Sequence, residues 1–279
     1  MDSVFITKQI GISGQLAIYD WPAPDTTPRG RVLLVHGLGE HMGRYAHVAE
    51  QLRSWGFAVR GYDHYGHGLS AGPRGDMRNE RSLLADLSCV MDVTRKLTLA
   101  QNKPFILLGH SLGGLVTAKA VAEQLRPVDG LVLSSPALAT TTSWVQKLLL
   151  SLLPRLAPHL CVDNGLKASF VARDPQVVTD YQNDPLVHRQ ISAGLAEWIV
   201  SQAPRVLAQA AAWQVPTLLM YAGADKLVDP QGSERFARSA PGCVESRYFK
   251  PMYHEIFNDP DKHLVFERLK DWLDEHFSA

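Results

Sequence analysis

The sequence contains few cysteines and no excess of charge of either sign. Its 279 residues include 3 cysteines. These residues, Cys89, Cys161 and Cys243, lack both the spacing of a metal site and the even count of a disulfide framework. Lysine plus arginine and aspartate plus glutamate number 28 each, whereas nucleic-acid-binding domains normally carry a basic excess. The composition therefore argues against a disulfide scaffold, a cysteine-ligated metal site and a nucleic-acid-binding domain.

Long apolar runs are also missing. The N-terminal stretch MDSVFITKQIGIS lacks the continuous apolar core of a signal peptide. The most apolar later segment, residues 148–160, is interrupted by Pro154, Arg155 and Pro158, so it is too broken for a membrane span. The sequence thus predicts a soluble, cytoplasmic protein that is not secreted.

What the sequence does have is a regular alternation of strand and helix patterns. Hydrophobic residues make up 46% and charged residues 20%, which is an ordinary globular composition. Short apolar runs alternate with segments whose apolar residues recur every three or four positions. This alternation predicts an α/β fold, with a mostly parallel sheet covered by helices on both faces. Strands are predicted near residues 4–8, 15–20, 32–35, 57–62, 105–108, 130–133, 216–221 and 244–249.

The alternation stops in one long segment. From residue 136 to about residue 204 the chain is rich in leucine, alanine and proline, with only helical or irregular patterns. The strand pattern then resumes at residue 216. We interpret residues 1–279 as a single domain in which residues 136–204 form an inserted helical cap.

One serine lies between glycines directly after an apolar run, in FILLGHSLGGLV, residues 105–116. The run predicts a buried strand and the residues after the serine predict a helix, so Ser111 lies at a strand-to-helix turn. A turn this sharp strains the serine backbone and leaves little room for side chains at Gly109, Gly113 and Gly114. The hydroxyl then stands at a helix N-terminus, where developing negative charge is favoured. Ser111 is the candidate nucleophile; the alternative is a glycine-rich turn with an idle serine.

A serine nucleophile needs a base, and the base needs a third group that orients it. Reactive groups in parallel sheets gather at the carboxyl ends of strands, and His254 follows the last predicted strand. Asp225 and Asp229 both follow the strand before it, and Asp225 is preferred because it is nearer to the strand end. Ser111, Asp225 and His254 then occur in the chain order of an α/β-hydrolase triad. The alternative is that Asp225 caps a turn and His254 is an ordinary loop histidine.

Acyl transfer also requires backbone amides that stabilise the oxyanion. The N–H of Leu112, directly after the nucleophile, is one candidate. The loop after the strand at 32–35 reads HGLGE, and its glycines let the backbone turn toward the site. Leu38 N–H is the second candidate.

Several longer blocks accompany the serine motif in order along the chain. They are HGLGEHMGRY, GYDHYGHGLS, GHSLGG, YQNDPLV, GADKLVDP and MYHEIFND. From about residue 30 to its end, the chain therefore resembles the monoacylglycerol lipase and lysophospholipase family of serine α/β-hydrolases. The resemblance implies an eight-stranded sheet, a mobile cap and hydrolysis of a single acyl ester of glycerol without a cofactor. It also implies the triad Ser111, Asp225 and His254, with oxyanion amides at Leu38 and Leu112.

The resemblance extends to the polar end of the substrate site. In such lipases the glutamate and arginine of the first block contribute there, which corresponds to Glu40 and Arg44. Some members carry a second histidine three residues after the catalytic one to contact glycerol, but Phe257 stands at that position. Monoacylglycerol is the implied substrate, and a lysophospholipid or another carboxylic ester stays open. For Glu40 and Arg44 themselves, a surface ion pair near a helix start is the alternative.

The cap segment at residues 141–160 has apolar residues on one helical face, among them Leu149 and Leu153. This pattern predicts an acyl entrance that contacts a membrane or micelle surface. Pro154 is expected to end or kink the helix. The alternative is a cap helix that packs its apolar stripe on the body of the domain.

Two other function classes compete with a serine hydrolase. His36, His41, His64 and His67 lie near Asp63 in the sequence, but they lack the spacing of a metallohydrolase motif. A non-catalytic receptor with a hydrolase fold has no need of all three triad members. We therefore expect a lipid ester as the partner of this chain, and no nucleic acid.

Overall fold

A computed structural model describes residues 4–25, 27–99, 102–139 and 155–278. Its strands are β1 (Phe5–Ile10), β2 (Gln15–Trp21), β3 (Arg31–Val35), β4 (Ala58–Tyr62), β5 (Phe105–His110), β6 (Gly130–Ser134), β7 (Cys161–Asp163), β8 (Gln190–Ser192), β9 (Thr217–Ala222) and β10 (Val244–Phe249). Eight of them form one sheet in the order β1-β2-β4-β3-β5-β6-β9-β10. β2 pairs antiparallel with β1 and β4, and all other neighbours in this sheet are parallel. The predicted α/β-hydrolase sheet is confirmed.

The central strands are apolar along their length. Every residue of β5, β6 and β9 is buried. Because side chains alternate between the two faces of a sheet, a continuously apolar strand needs cover on both faces. In β3, Leu33 and Val35 belong to one core, whereas Val32 and Leu34 belong to the other.

Helices provide this cover. They are α1 (Ala46–Ser54), α2 (Ser82–Leu99), α3 (Leu112–Ala122), α4 (Pro175–Asn183), α5 (Ala193–Ala208), α6 (Pro230–Ser239) and α7 (Lys262–His276). Side chains of α2, α3, α5 and α6 join the core on one face, and those of α1 and α7 join the core on the other. None of the helices in the described ranges is long and apolar enough to cross a membrane.

The chain between β6 and β9 leaves the large sheet. Within the part described from residue 155 onward, β7 and β8 pair antiparallel as a separate two-stranded sheet. The sequence pattern predicted only helical and irregular structure here, because strands of three residues show no periodicity. The predicted cap residues Leu149, Leu153 and Pro154 lie outside the described residues.

Helix α5 continues through Pro204 to Ala208, although residue 204 was interpreted as the end of the cap. Proline lacks the N–H that an inner helical turn uses, so it normally predicts a helix end. Here Leu195, Ala203 and Val206 of the same helix are buried in the main core. We attribute the continuity of the helix to this packing, because burial of an apolar face outweighs local propensity.

The parallel strands bring their carboxyl ends to one edge of the sheet. The loops that follow β3, β5, β9 and β10 begin near His36, Ser111, Gly223 and Lys250. The residues predicted for the triad and for the oxyanion amides lie in or next to these four loops.

Candidate active site

Ser111 lies between β5 and α3 with backbone angles φ 53° and ψ −117°. A positive φ is unfavourable for a residue with a side chain, and such strain costs on the order of 1–3 kcal/mol. Three backbone hydrogen bonds hold the residue in this state. Its N–H donates to Ser134 O at 3.0 Å, and its carbonyl accepts from Leu115 N and from Ala137 N, both at 3.0 Å.

The glycines around Ser111 are required by close backbone packing. A Cβ at Gly113 would overlap the carbonyl oxygens of Val35 and His36. A Cβ at Gly109 would overlap Gly113, and one at Gly114 would lie 2.8 Å from the Pro136 side chain. The predicted intolerance of side chains at these positions is confirmed, and it explains how α3 approaches the end of β3 so closely.

His254, in the loop after β10, contacts Asp225, in the loop after β9. His254 Nδ1 donates to Asp225 Oδ2 at 2.7 Å, and both side chains are buried. The other oxygen of Asp225 accepts from Leu227 N at 2.8 Å and Val228 N at 3.1 Å. Asp229 instead begins α6, where it accepts from the N–H of Gln231 at 3.0 Å. The structure therefore brings Asp225, and not Asp229, to the histidine.

The pair is electrostatically coupled. Burial lowers the pKa of His254, but the charge and hydrogen bond of Asp225, together with the Glu255 and Glu40 charges, raise it above its ordinary value. Burial raises the pKa of Asp225, but the His254 charge and hydrogen bond, with two backbone amides, lower it below its ordinary value. His254 therefore accepts a proton more readily than a free histidine, and Asp225 stays ionised.

Ser111 and His254 line one cavity of about 590 Å³ at this edge of the sheet. Gly37, Leu38 and Leu112 line the same cavity. Leu112 opens α3, so its N–H belongs to the first turn, whose amides have no partner within the helix. The cavity thus gathers the residues predicted as nucleophile, base and oxyanion donors.

The segment between β6 and β9 lines one part of this cavity, and most of the side chains that it contributes are apolar, although Asp163, Asn164 and Lys167 also line it. The apolar side chains that line it there are Leu160, Val162, Leu166, Phe170, Val171, Ile191, Ile199 and Val200. Leu160 and Val162 are also solvent-exposed, at 49% and 52%. The wall suits an acyl chain, because each methylene buried against it contributes about 0.8 kcal/mol.

Glu40 holds the loop that follows β3. Its Oε1 accepts from Gly37 N at 2.6 Å and from the Tyr45 hydroxyl at 2.7 Å, and its Oε2 accepts from Arg44 at 2.7 Å. Because Gly37 N–H already donates to this carboxylate, Leu38 N–H stays the predicted oxyanion donor on this loop. Glu40 is 3% exposed, so the alternative of a surface ion pair is wrong.

Arg44 lies behind Glu40, outside the described lining of the large cavity. It donates to Glu255 through both terminal nitrogens, at 2.7 and 2.8 Å. Its guanidinium also lies 4.7 Å from the centre of the Tyr181 ring. Glu255 was not predicted from the sequence, although its position directly after His254 was an available signal.

His110, which precedes Ser111, was also not predicted. Its ring centre lies 4.7 Å from that of His254, and its Nδ1 lies 3.1 Å from Ser134 Oγ. Burial and the neighbouring positive charge of His254 lower the pKa of His110 to about 3. His110 is therefore a neutral ring packed against the candidate base.

The histidines near Asp63 serve packing in the loops behind the site. His36 Nε2 accepts from the backbone N–H of His64 at 3.0 Å. Asp63 accepts from Met42 N, Leu69 N and the Tyr19 hydroxyl at 2.7, 2.7 and 3.0 Å. In the described ranges, the group of three possible metal ligands that lie close together is a different one, at Glu245, Glu275 and His276.

Known proteins are similar to this chain in sequence and in fold. The family model Hydrolase_4, described as serine aminopeptidase, S33, matches residues 26–261. A monoacylglycerol lipase of Mycolicibacterium smegmatis is 35% identical over 95% of this chain and 95% of its own length. A phospholipase of Bacillus subtilis is 31% identical over 92% of this chain and 99% of its own length. The crystal structure of a monoacylglycerol lipase of Paleococcus ferrophilus has a TM-score of 0.83 and 34% identity, covering 94% of this chain and 99% of that one.

Proposed function

The chain belongs to the Hydrolase_4 family, as a carboxylic ester hydrolase of the monoacylglycerol lipase branch of the α/β-hydrolases, and we propose that it cleaves monoacylglycerols to glycerol and a free fatty acid. The observation that carries this proposal is the 2.7 Å contact between His254 and Asp225 beside a cavity that also contains Ser111. The apolar wall of that cavity supports a fatty acyl substrate.

In the proposed acylation step, Ser111 Oγ attacks the ester carbonyl carbon while His254 Nε2 takes the hydroxyl proton. Asp225 keeps Nδ1 protonated and stabilises the imidazolium. His254 then gives the proton to the departing glycerol oxygen as the carbon–oxygen bond of the ester breaks. The raised pKa of His254 supports its role as the base.

In the proposed deacylation step, His254 removes a proton from water, which attacks the acyl-enzyme carbonyl. Collapse of the tetrahedral intermediate returns the proton to Ser111 Oγ and releases the fatty acid. We assign the oxyanion to the N–H groups of Leu38 and Leu112. Loss of one such donor typically lowers the rate by roughly 10²- to 10³-fold.

We assign the alcohol end of the site to the region of Glu40 and Arg44. Glu40 lines the cavity, whereas Arg44 supports it from behind. Phe257 is 4% exposed and its ring centre lies 5.3 Å from that of Phe266, so it packs toward α7. Because Phe257 is buried in that core, the proposed glycerol site does not include it.

We assign the acyl end to the cap, residues 136–204, with Leu149 and Leu153 as further acyl contacts. The exposed side chains of Leu160 and Val162 at the cavity support transient contact between this end and a membrane or micelle surface. Apolar side chains next to a lipid entrance gain burial when they touch acyl chains.

Hydrolysis of lysophospholipids is a second candidate function. The similarity to the phospholipase of Bacillus subtilis, at 31% identity over 92% of this chain, favours it. Both candidates use the same chemistry on the acyl ester, and they differ only in the alcohol that leaves.

A hydrolysis panel tests these proposals. It contains monoacylglycerol, lysophosphatidylcholine, triacylglycerol and a p-nitrophenyl ester, and fatty acid release is measured for the wild type and Ser111→Ala. We expect monoacylglycerol to give the highest kcat/KM and Ser111→Ala to be inactive on every ester. A protein that neither hydrolyses an ester nor reacts with a fluorophosphonate probe would instead be a binding protein of this fold.

A further inference from the structure

The segment that follows α4 contacts the loop that carries the candidate oxyanion donor. This loop comprises residues 36–41, directly after β3, and is the β3 loop. Asp184 Oδ2 lies 2.8 Å from His41 Nε2, although the two residues are 143 positions apart in the sequence. The backbone N–H of His188 donates to Gly39 O at 2.8 Å. The predicted cap is therefore joined to the β3 loop at two points.

The hydrogen bond between His41 and Asp184 has a defined direction. His41 Nδ1 accepts from Gly43 N at 3.2 Å, so Nε2 carries the proton that is donated to Asp184. The other oxygen of Asp184 accepts from Leu186 N at 2.8 Å. Burial raises the pKa of Asp184, but the hydrogen bonds that it accepts and the charges of His41 and Arg44 lower it below its ordinary value. Asp184 is therefore an ionised carboxylate, and protein groups use both of its oxygens.

The β3 loop depends on such contacts because two glycines flank the candidate oxyanion donor. Leu38 lies between Gly37 and Gly39, and glycine restrains the backbone less than any other residue. Gly37 N–H is held from the body of the domain by Glu40 at 2.6 Å. Gly39 has φ 76° and packs on the cap, where an added Cβ would lie 2.5 Å from His188 O. The position of Leu38 N–H therefore depends on the cap as well as on the body of the domain.

Asp184 and His41 support the site from outside. Among the residues described, neither is part of the lining of the large cavity. His41 is buried and Asp184 is partly buried. An amide stabilises an oxyanion only within hydrogen-bond distance, and a displacement of about 1 Å in a site can lower the rate about 10²-fold. A residue that shifts Leu38 N–H can thus change kcat without touching the ester.

We propose that Asp184 is a positioning residue for the oxyanion site. Through its hydrogen bond with His41, it holds the β3 loop in the conformation that directs Leu38 N–H at the tetrahedral intermediate. This role rests on the proposed function, in which Leu38 is an oxyanion donor. The cap then has a second task besides binding the acyl chain, because it completes the oxyanion site.

Two p-nitrophenyl esters separate this role from acyl binding. The acetyl ester has almost no chain to bury in the cavity, whereas the decanoyl ester has a long one. We expect Asp184→Ala to lower kcat about tenfold to a hundredfold on both esters and to leave KM for the acetyl ester within about twofold. Asp180→Ala is the matched control, because Asp180 is exposed on α4 and accepts from Gln176 of the same helix. A loss confined to the decanoyl ester would overturn the proposal.

A second variant and an inhibitor distinguish positioning from a loss of folded protein. Asp184→Asn keeps the size of the side chain but turns one acceptor oxygen into an NH2 donor, so kcat should fall about three- to tenfold. A short trifluoromethyl ketone forms an adduct with Ser111 that carries an oxyanion. Its Ki should rise by the same factor by which kcat/KM falls. An unchanged Ki in a variant of reduced kcat would overturn the positioning role.

Replacing His41 tests the route of the effect. Since Asp184 acts through His41, the double variant Asp184→Ala, His41→Ala should have a kcat little lower than that of either single variant. Losses that multiply in the double variant would overturn this route.

The acetyl ester also separates this inference from the proposed function, because it is not a monoacylglycerol. A protein that hydrolyses the acetyl ester through Asp184-dependent catalysis but cleaves no monoacylglycerol would overturn the proposed function alone. Wild-type kcat on the acetyl ester in folded Asp184→Ala and Asp184→Asn would overturn the positioning role, even if monoacylglycerol is hydrolysed.

Discussion

Arg44 and Glu255 form a buried, two-pronged ion pair, with nitrogen–oxygen distances of 2.7 and 2.8 Å. Through Arg44, Glu255 is joined to Glu40, whose carboxylate holds the Gly37 N–H. The loop that carries the candidate oxyanion donor is therefore tied to the loop that carries the candidate base. Glu255 is a positioning residue in this arrangement, since its oxygens are occupied by Arg44 and Asn258.

We expect Glu255→Gln to lower kcat by about tenfold to a hundredfold with a smaller effect on KM, because small displacements of reacting groups cost rates of this order. Its negative charge also raises the pKa of His254. The acid limb of the kcat/KM profile should therefore move to lower pH. Glu267→Gln, on the exposed face of α7, is the matched control. A loss of stability with an unmoved pH profile would show that Glu255 is structural only.

The candidate triad should behave as one unit. Ser111→Ala and His254→Ala are each expected to lower kcat by roughly 10⁴- to 10⁶-fold, and the double variant should be little worse than either alone. Asp225→Asn should be far more damaging than Asp229→Asn, because Asp225 bonds to His254 and Asp229 caps α6. Steady-state kinetics on one monoacylglycerol are sufficient. Multiplicative losses in the double variant would speak against a triad.

The protein should lose stability steeply on acidification. Burial is the main cause that lowers the pKa of His64 to about 4, and burial with the charge of His254 lowers that of His110 to about 3. Both therefore bind protons more weakly in the folded chain than in the unfolded chain. Their stabilising contribution is present above pH 6.5 and is lost as the pH falls toward the folded-state values.

Calorimetric unfolding between pH 8 and pH 5 measures this loss. At one pH unit below 6.5, each of these two buried histidines contributes on the order of 1 kcal/mol less to the free energy of unfolding. His254, whose pKa is raised, acts in the opposite direction and stabilises the fold more at low pH. A melting temperature that stays constant from pH 7 to pH 5 would contradict the prediction.

The close packing of α3 against the end of β3 should leave no room for a side chain at Gly113. Gly113→Ala places a Cβ against the carbonyl oxygens of Val35 and His36. We expect a loss of about 1 to 3 kcal/mol in the free energy of unfolding and a large loss of activity. Gly242→Ala is the control, because nothing lies within 4 Å of its added Cβ. Denaturant unfolding of the two variants compares them, and equal stability would refute this account of the turn.

The cap should govern chain-length preference and lipid-surface contact. Changing Leu149 and Leu153 together to Ser is expected to reduce activity on long-chain monoacylglycerol and weaken co-sedimentation with liposomes, while acetyl ester hydrolysis stays nearly intact. Leu264→Ser, at an exposed position of α7, is the control. Persistent liposome binding with equal losses for all chain lengths would assign these leucines to packing.

Much of the large sheet and the candidate chemistry could be predicted from the sequence, because the signals are local. A fully buried strand is a continuous apolar run, and β5 and β6 were found that way. Ser111 was identified from the residues on either side of it, and Asp225 and His254 from their places after strands. Chain order along a parallel sheet then brings such residues to one edge.

The remaining features depend on contacts between distant parts of the chain, which leave no periodic trace in the sequence. The partners Arg44 and Glu255 are 211 residues apart, and β7 pairs with β8 across α4. Lys226 Nζ lies 4.8 Å from the centre of the Phe170 ring, although the two residues are far apart in the sequence. The sequence alone determined which residue types can do chemistry at each strand end. Only the tertiary structure decided which charges are neutralised and which stay unpaired, because the pairing of a charge depends on its neighbours in space.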